Sequence, residues 1–445
     1  ADEFANKVAK YFKSKGFQKG DCVALLLENR PEYPCIWIGL AKIGVVTSLI
    51  NTNLVSDPLL HSLKVCKCKA VIFGSNNGEA IRNIMPNLTS LKLYQFNEET
   101  KESKKILPGC QDLRTELDNV TSKPLEKESH LGIKDPLVYI YTSGTTGLPK
   151  AAVITNVRFM FMAMAVYCLA RLNTKDIVYN PLPLYHTAGG MLGVGQTLLK
   201  GITLAIRKKF SASNYWKDCA KHNCTVAQYV GEICRYVLAA PQNQPVEHNV
   251  RAIFGNGLRP QIWSEFVKKF NIRHVFEVYG ATEGISNMIN IDNTVGCVGF
   301  VPRYCRWAYP VTLIKCDEAT GEPIRNKKGH CIECDVNEAG LIIGKINPKK
   351  GVFNFKGYSD EKATEKKILQ NVFRDGDMYF NSGDILYGDE FGNFFFKDRT
   401  GDTFRWKGEN VSTSEIEAVI SNIVHLNDAV VFGVEVNLTH YNSDA

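Results

Sequence analysis

The sequence predicts an α/β fold: a large N-terminal domain of parallel sheets with flanking helices plus a small β-barrel, followed by an incomplete small α+β C-terminal domain. Between residues 22 and 276, short β-branched runs alternate with helical apolar patterns, which is typical of parallel strands joined by crossover helices. After Gly296, short strands alternate with Gly and Asn turns, which indicates antiparallel structure. We expect the first domain to span residues 1–398, and the hinge with a partial second domain to span residues 399–445.

The individual elements follow from local patterns. Runs of β-branched and aromatic residues predict parallel strands at 22–27, 70–73, 137–141, 177–180, 202–206, 225–230, 250–254 and 274–278. Apolar residues at helical spacing predict helices at 33–43, 212–221 and 261–270. The polar stretch 97–134 is interpreted as a surface connection. Antiparallel strands are predicted at 341–343, 377–380 and 394–397, and Ser414 with Glu417 predicts the start of a helix that runs to residue 423.

Length and composition exclude several classes of protein. The 445 residues correspond to about three units of ~150 residues, which excludes a peptide hormone or a single small module. The net charge of +7 is spread thinly, so we predict no nucleic-acid partner. Fourteen cysteines are too sparse for a disulfide scaffold. No apolar run reaches the ~18 to 20 residues that cross a bilayer, so any membrane anchor is expected outside this chain.

Both ends of the chain predict truncation. Ala1 stands where an initiator methionine is usual, and a helical apolar stripe begins already at Phe4. At the other end, residues 441–445 follow a strand-like run without completing a folded unit.

Residues 141–150, with the sequence YTSGTTGLPK, are typical of a phosphate-binding loop. They follow a predicted strand and precede a helix predicted near residue 156. Two glycines, several hydroxyls and successive backbone N–H groups can wrap a phosphate chain beside Lys150. Lys150 lies three residues after Gly147 and no Ser or Thr follows it, which disfavours a Walker-type NTPase. A polar surface turn is the alternative interpretation.

Further motifs follow in order: PLPLYH at 181–186, VYGATEG at 278–284, SGD at 382–384 and DRTGD at 398–402. With residues 141–150 they resemble the adenylate-forming enzymes, which include acyl-CoA synthetases, firefly luciferases and peptide-synthetase adenylation domains. The resemblance narrows to the fatty acid transport proteins, also called very-long-chain acyl-CoA synthetases, through YIY at 139–141, FSAS at 210–213, QYVGE at 228–232 and DTFRWKGEN at 402–410. It runs from about residue 5 to residue 436.

The resemblance implies an ATP-dependent long-chain or very-long-chain fatty acid CoA ligase, which forms acyl-AMP and transfers the acyl group to coenzyme A, coupled to fatty acid uptake. It implies ATP, Mg²⁺ and coenzyme A as cofactors and a fatty acid as substrate. It also implies association with the endoplasmic reticulum or plasma membrane, through a segment absent from this chain, with the active site facing the cytosol. Two alternatives stay open: a transport or lipid-binding protein with little ligase activity, and a CoA ligase for another bulky acid such as a bile acid.

The resemblance also assigns residues to the nucleotide and to the reaction. The implied ATP or AMP contacts are Tyr141, Thr142, Ser143, Gly144, Thr145, Thr146, Gly147, Lys150, Asn256, Gly257, Tyr279, Gly280, Ala281, Thr282, Asp384 and Arg399. Tyr279 can stack on adenine, and Asp384 can accept from the ribose hydroxyls. The implied catalytic residues are Thr282, Glu283, Lys150 and His186, and the implied metal ligands are Thr142 and Glu283.

For the acyl chain the implied residues are His186, Gly190, Tyr229 and Gly231, and for coenzyme A they are Arg405, Lys407 and Gly408. His186 is also interpretable as a core histidine, and small residues also simply pack helices. The family's adenylation lysine lies near the end of its C-terminal domain, whereas only about 45 residues follow the hinge here. We therefore expect this chain by itself to be impaired in adenylation, because that charge is missing.

Overall fold

The computed structural model of the chain describes residues 1–97, 105–126, 130–142, 148–241, 246–305, 309, 311–317, 320–400, 403–406, 409–412, 416–417, 419–420, 423 and 430–431. Three large sheets, the helices that cover them and a separate two-stranded ribbon make up this part of the chain. The first two sheets are largely parallel and the third is antiparallel, so the predicted fold class is confirmed.

The first sheet is built from the N-terminal third of the chain. Its strands are β1 (Cys22–Leu26), β2 (Val46–Leu49), β3 (Ala70–Gly74), β4 (Lys92–Phe96), β5 (Gln111–Asp112), β6 (Pro136–Thr142) and β7 (Lys150–Thr155). The flanking helices are α1 (Asp2–Ser14), α2 (Glu32–Ala41), α3 (Ser56–Val65), α4 (Gly78–Ile84) and α5 (Leu113–Asp118). The order is β5-β4-β3-β1-β2-β6-β7, with only the β6–β7 pair antiparallel. Every residue of β1 is buried, as expected for a sheet covered on both faces.

The second sheet carries the cavity described below. Its strands are β8 (Ile177–Asn180), β9 (Thr203–Ile206), β10 (Val226–Val230), β11 (Ala252–Asn256), β12 (His274–Tyr279) and β13 (Met288–Ile289). The accompanying helices are α6 (Asn156–Leu169), α7 (Gly195–Lys200), α8 (Tyr215–Lys221), α9 (Gly231–Ala239) and α10 (Pro260–Lys269), with a π-helical segment at Thr187–Val194. The order is β13-β12-β11-β10-β8-β9, and only β12 and β13 run antiparallel.

The third sheet is antiparallel throughout. Its strands are β14 (Cys297–Phe300), β15 (Val311–Ile314), β16 (Ala339–Lys345), β17 (Ile368–Gln370), β18 (Met378–Gly388) and β19 (Asn393–Arg399), with helix α11 (Glu361–Glu365) alongside. The order is β14-β19-β18-β16-β15, with β17 on β18, and among the described residues the edge strands β14 and β15 do not pair with each other. Strands β20 (Thr403–Trp406) and β21 (Glu409–Ser412) form a separate ribbon. The boundary predicted at 398 and 399 falls at the end of β19 and stays a prediction.

Helix α6 packs between the first two sheets and thereby positions the site. Phe159 joins the core of the first sheet, where its ring meets Trp37 edge-on at 6.0 Å. Met162 and Val166, on the same helix, join the core of the second sheet. One helix therefore fixes the phosphate-loop strands against the sheet that carries the cavity.

The structure differs from the sequence prediction in several places. Stretch 97–134 contains β5 and α5 as well as surface chain. Strand β7 intervenes between loop 143–147 and α6, because Lys150–Thr155 pairs back onto β6. Helix α8 begins at Tyr215, after a 3₁₀ turn at Ala212–Asn214. The helix predicted at 414–423 lies mostly outside the described residues.

None of the helices in the described part of the chain is both long enough and apolar enough to cross a bilayer.

Candidate active site

A cavity of about 1600 Å³ lies along the carboxyl ends of the second sheet's strands. Its lining includes Pro181 after β8, Val230 at the end of β10, Asn256 at the end of β11 and Gly280 after β12. The carboxyl ends of parallel strands are where α/β folds usually bind ligands, because loops from neighbouring strands meet there.

The polar end of this cavity contains two threonines and a histidine. The Oγ1 atoms of Thr187 and Thr282 lie 3.0 Å apart, and both residues line the cavity together with His186. Burial lowers the pKa of His186, which keeps its imidazole neutral near pH 7. The structure therefore brings the predicted Thr282 and His186 together at one end of the cavity.

Arg158 on α6 supports the loop that carries Thr282 and Glu283. Its Nη1 donates to the carbonyl of Glu283 at 2.8 Å, and its Nη2 donates to the carbonyls of Thr282 at 2.7 Å and Ala281 at 3.3 Å. Nη2 also donates to the carbonyl of Gly284. Burial lowers the pKa of Arg158 to about 10, so the guanidinium stays charged. The sequence prediction missed Arg158, since nothing in its local pattern marks it.

Glu283 is buried and accepts a hydrogen bond from the hydroxyl of Tyr358 at 2.6 Å. The Tyr358 segment pairs with β7 through Ala152, so this hydroxyl is fixed by the phosphate-loop strand. The ammonium of Lys150 lies 5.9 Å from the centre of the Tyr358 ring. Lys150 and Glu283 therefore both contact Tyr358, a residue that the sequence prediction did not single out.

Thr142 and Glu283 were predicted to hold Mg²⁺, and their chemistry fits that ion. Thr142 pairs directly with Lys150 across β6 and β7, and its buried Oγ1 has no hydrogen-bond partner among the described residues. The described part of the chain contains no cluster of three or more His, Cys, Asp or Glu that could hold a metal. A single carboxylate with a hydroxyl suits Mg²⁺, which usually completes its shell with water and substrate phosphates.

The residues predicted for adenine and ribose also lie together. The Tyr279 hydroxyl donates to Oδ2 of Asp384 at 2.5 Å, and Nε of Arg399 lies 3.3 Å from Oδ1 of the same carboxylate. Burial raises the pKa of Asp384. Asp384 and Arg399 are directly paired in the β18–β19 register, which explains how two distant motifs converge.

Asn256 lines the cavity, and Gly257 follows it in a turn with φ of +82°. A positive φ is readily adopted only by glycine, so this turn requires Gly257. The amide of Gly257 donates to the buried carboxylate of Glu277. The predicted Asn256–Gly257 pair therefore lies beside the cavity and is held by Glu277, which the sequence prediction missed.

The side chain of Tyr141 points away from the cavity. Its hydroxyl lies 2.6 Å from Oγ of Ser48 and donates to the carbonyl of Ser62 at 2.5 Å, among residues of the first sheet and α3. Because side chains alternate along a strand, the neighbouring Thr142 takes the opposite face. Tyr141 is therefore placed in the core, away from the nucleotide contact that was predicted for it.

Three residues predicted to bind the acyl chain are not among the described residues that line the cavity. Tyr229 is fully buried and its hydroxyl donates to Glu277. Gly190 and Gly231 pack directly on backbone carbonyls, so their missing side chains allow close backbone contact. Of the predicted acyl residues, His186 lines the cavity.

An apolar wall instead comes from α6 and from the segment after β12. It consists of Phe161, Met162, Ala165, Val166, Leu169, Ile289 and Ile291. Apolar side chains on one helix face give the cavity a surface suited to an alkyl chain. The local apolar pattern that marks α6 as a helix does not reveal which of its faces meets the cavity.

Several predicted residues lie outside the described part of the chain. These are Ser143, Gly144, Thr145, Thr146 and Gly147 of the phosphate loop, and Lys407 and Gly408 of the predicted coenzyme A contacts. Arg405, the third predicted coenzyme A contact, lies in β20.

Comparison with known proteins places the chain in a family. The family model described as "AMP-binding enzyme" matches residues 1–331. Long-chain fatty acid transport protein 1 of Mus musculus is 45% identical over 436 residues, which cover 98% of this chain and 67% of that protein. The chain thus spans about two thirds of the length of this relative.

Solved structures share the fold. An anthranilate CoA ligase in complex with anthranoyl-AMP superposes with a TM-score of 0.79 at 17% identity, covering 94% of this chain and 76% of that one. ATP-bound MatB from Rhodopseudomonas palustris superposes with a TM-score of 0.76 at 22% identity, over the same shares of the two chains.

The fold and the family model define the class: the chain is an AMP-binding enzyme, as predicted. Within that class it belongs to the long-chain fatty acid transport protein family.

Proposed function

We propose that the protein activates long-chain or very-long-chain fatty acids with ATP and transfers the acyl group to coenzyme A. The observation that carries this proposal is one cavity with a polar end at Thr282 and an apolar wall on α6. A fatty acid has the matching shape, since its carboxylate and its alkyl chain need these two environments at opposite ends. The names of the relatives, fatty acid transport proteins, support the same substrate class.

In the proposed reaction a carboxylate oxygen attacks the α-phosphorus of ATP and pyrophosphate leaves. The hydroxyls of Thr187 and Thr282 can donate to the α-phosphate from one side, because they converge at 3.0 Å. Neutral His186 beside them can hydrogen-bond the fatty carboxylate without neutralising it as an ion pair would. The Lys150 ammonium offsets charge on the leaving phosphates.

The nucleoside is proposed to lie between Tyr279 and the Asn256 turn, with its ribose hydroxyls donating to Asp384. Support comes from the direct contacts of Asp384 with Tyr279 and Arg399. Mg²⁺ is proposed to be held by Glu283 and Thr142, and when bound it neutralises phosphate charge. Coenzyme A binding by Arg405, Lys407 and Gly408 is proposed on the resemblance alone.

The test measures fatty-acid-dependent AMP release by the protein expressed from its complete coding sequence, with ATP, Mg²⁺, coenzyme A and acids of graded chain length. Glu283→Ala is expected to abolish AMP release, because it removes the metal ligand. The matched control is Glu265→Ala, since Glu265 is an exposed glutamate on α10. Ala165→Phe is expected to shift the preference to shorter acids, because Ala165 lines the apolar wall.

AMP release that needs a fatty acid and is lost in Glu283→Ala but kept in Glu265→Ala would support the ligase. Fatty acid binding without any AMP release would instead favour the transport or lipid-binding alternative. A rate with a bile acid that exceeds the rate with every fatty acid would favour the ligase for a different bulky acid.

We further propose that the protein acts at the endoplasmic reticulum or plasma membrane with its active site facing the cytosol. The support is the name of its relatives, which are fatty acid transport proteins. Fractionation of cells, followed by protease treatment of sealed membranes, tests this location. Recovery of the protein in a fraction without membranes would contradict it.

A further inference from the structure

A buried carboxylate lies directly behind the turn that borders the cavity. Glu277 on β12 is 2% exposed, and its carboxylate accepts hydrogen bonds from the amides of Gly257 and Leu258, the latter at 3.3 Å. The hydroxyl of Tyr229 on β10 donates to the same carboxylate. Burial raises the pKa of Glu277 to about 8, and all three partners are neutral donors.

The turn held by Glu277 has little freedom to move. A methyl group on Gly231 would lie 1.6 Å from the carbonyl oxygen of Gly257, and one on Gly255 would lie 2.0 Å from the carbonyl oxygen of Tyr229. Backbone therefore packs on backbone on both sides of the turn. Among the described residues, Glu277 is the only side chain that accepts hydrogen bonds from the amides of Gly257 and Leu258.

Strands β10, β11 and β12, which carry or lead into this network, also form part of the cavity wall. Val230, Asn256 and Val278 line the cavity, and each is the neighbour along its strand of a residue of the buried network. Because side chains alternate along a strand, Glu277 and Tyr229 lie on the core side while their neighbours face the cavity. A shift of a residue in the buried network therefore moves its direct neighbour in the cavity wall.

We propose that Glu277 and Tyr229 are positioning residues for the nucleotide: together they fix the turn at Asn256 and Gly257 against which the adenine ring packs. The inference rests on the proposed function, which puts the nucleoside at this turn. It gives Tyr229 a place on the nucleotide side of the site in place of the acyl contact that its sequence context predicted.

A direct test measures the dissociation constants of Mg²⁺·ATP and of a long-chain fatty acid for the intact protein by calorimetry. Glu277→Gln keeps the shape but replaces one carboxylate oxygen with an NH₂ donor. Because Oε1 accepts from the amides of Gly257 and Leu258, and Oε2 accepts from the amide of Leu258 and the hydroxyl of Tyr229, either orientation sets the NH₂ group against at least one amide donor. The substitution is expected to weaken ATP binding about tenfold, as the loss of one buried hydrogen bond implies, and to leave fatty acid binding within about twofold. In steady state the KM for ATP should rise while kcat at saturating ATP is largely kept.

The matched control is Asp176→Asn. Asp176 is also a buried acceptor, bound to Thr225 at 2.7 Å and Arg251 at 2.8 Å, but it precedes β8 and its two partners precede β10 and β11, at the amino ends of the strands of this sheet. It should lower stability without changing the affinity for ATP. A merely structural role for Glu277 predicts the same behaviour for both variants.

Equal ATP affinity in Glu277→Gln and Asp176→Asn would overturn the inference, as would an equal loss of ATP and fatty acid binding in Glu277→Gln. If Glu277→Gln fails to fold, Tyr229→Phe decides the matter, because it removes one donor and keeps the turn amides paired. It should weaken ATP binding about threefold with fatty acid binding unchanged, and no change in ATP binding would overturn the inference. Wild-type protein that does not bind ATP would overturn the proposed function together with the inference.

Discussion

Arg158 is the clearest place at which a single buried charge organises the site. It reaches from α6 to the carbonyls of four consecutive residues, 281 to 284, in the loop that carries Thr282 and Glu283. Arg158→Met keeps most of the buried apolar stem and removes every one of these donors. The variant is therefore expected to lower both the free energy of unfolding and the rate of AMP formation.

The size of the effect follows from the contacts. Each buried carbonyl left without a donor costs about 1–3 kcal/mol; the carbonyl of Ala281 keeps the amide of Gly284 as a donor, and some of the other three can recover a water as the loop relaxes. The buried Glu283 also loses its charge interaction with Arg158 and keeps the Tyr358 hydroxyl. We expect the free energy of unfolding to fall by about 3–5 kcal/mol, which is the usual cost of removing one partner from a buried charged network. A shift of about 1 Å in the loop is expected to slow AMP formation about 100-fold.

Urea unfolding followed by tryptophan fluorescence measures the first quantity, and fatty-acid-dependent AMP release measures the second. Arg158→Lys is expected to lie between wild type and Arg158→Met, because an ammonium keeps the charge but cannot span four carbonyls as a planar guanidinium does. Arg82→Met on α4 is the matched control, since Arg82 is exposed.

The reasoning is refuted if Arg158→Met unfolds within about 1 kcal/mol of Arg82→Met, because that result would mean that the four carbonyls do not depend on the guanidinium. It is also refuted if Arg158→Met loses stability as expected while its AMP formation at 25 °C equals that of wild type.

Three further predictions concern the same site. Gly231→Ala should lower the free energy of unfolding by about 1–3 kcal/mol and weaken ATP binding, because the added methyl group meets the Gly257 carbonyl. In the control Gly351→Ala the methyl group meets nothing closer than 3.5 Å, so neither quantity should change. Urea unfolding measures the stability, and calorimetry measures the ATP affinity. Tyr358→Phe removes the donor to Glu283 and should lower kcat/KM for ATP about tenfold in an assay titrated with Mg²⁺. Burial lowers the pKa of His186, so below about pH 6.5 the unfolded chain binds a proton that the folded protein does not bind. The free energy of unfolding should therefore decrease as the pH falls from about 6.5 to the folded pKa, and it should decrease less steeply in His186→Gln. Urea unfolding at a series of pH values measures this dependence.

Local patterns were sufficient for most of the first two sheets. Strands β1, β3 and β8 match runs of β-branched residues within one residue at each end, because a strand buried on both faces is apolar along its whole length. Strand β7 escaped prediction because its identity depends on pairing back onto β6 across the phosphate loop. Strand β2 escaped because it is short and follows α2 closely.

The predicted site residues divide in the same way. Asp384, Tyr279 and Thr282 were recognised from motifs whose spelling is local, and the structure brings Asp384 and Tyr279 into contact. Arg158 and Tyr358 were missed because they contact Glu283 or its loop from positions 125 and 75 residues away. A residue that supports the site from so far along the chain is not marked by any pattern in its neighbouring residues.

The sequence by itself determined the α/β class, the order of the motifs and the family, because hydrophobic periodicity and motif spelling are properties of neighbouring residues. Only the tertiary structure decided which way Tyr141 and Tyr229 point, since the face that a strand residue takes depends on the register of its sheet. It also decided that Glu277 holds the turn at Gly257, because that contact forms only when β11 and β12 lie side by side.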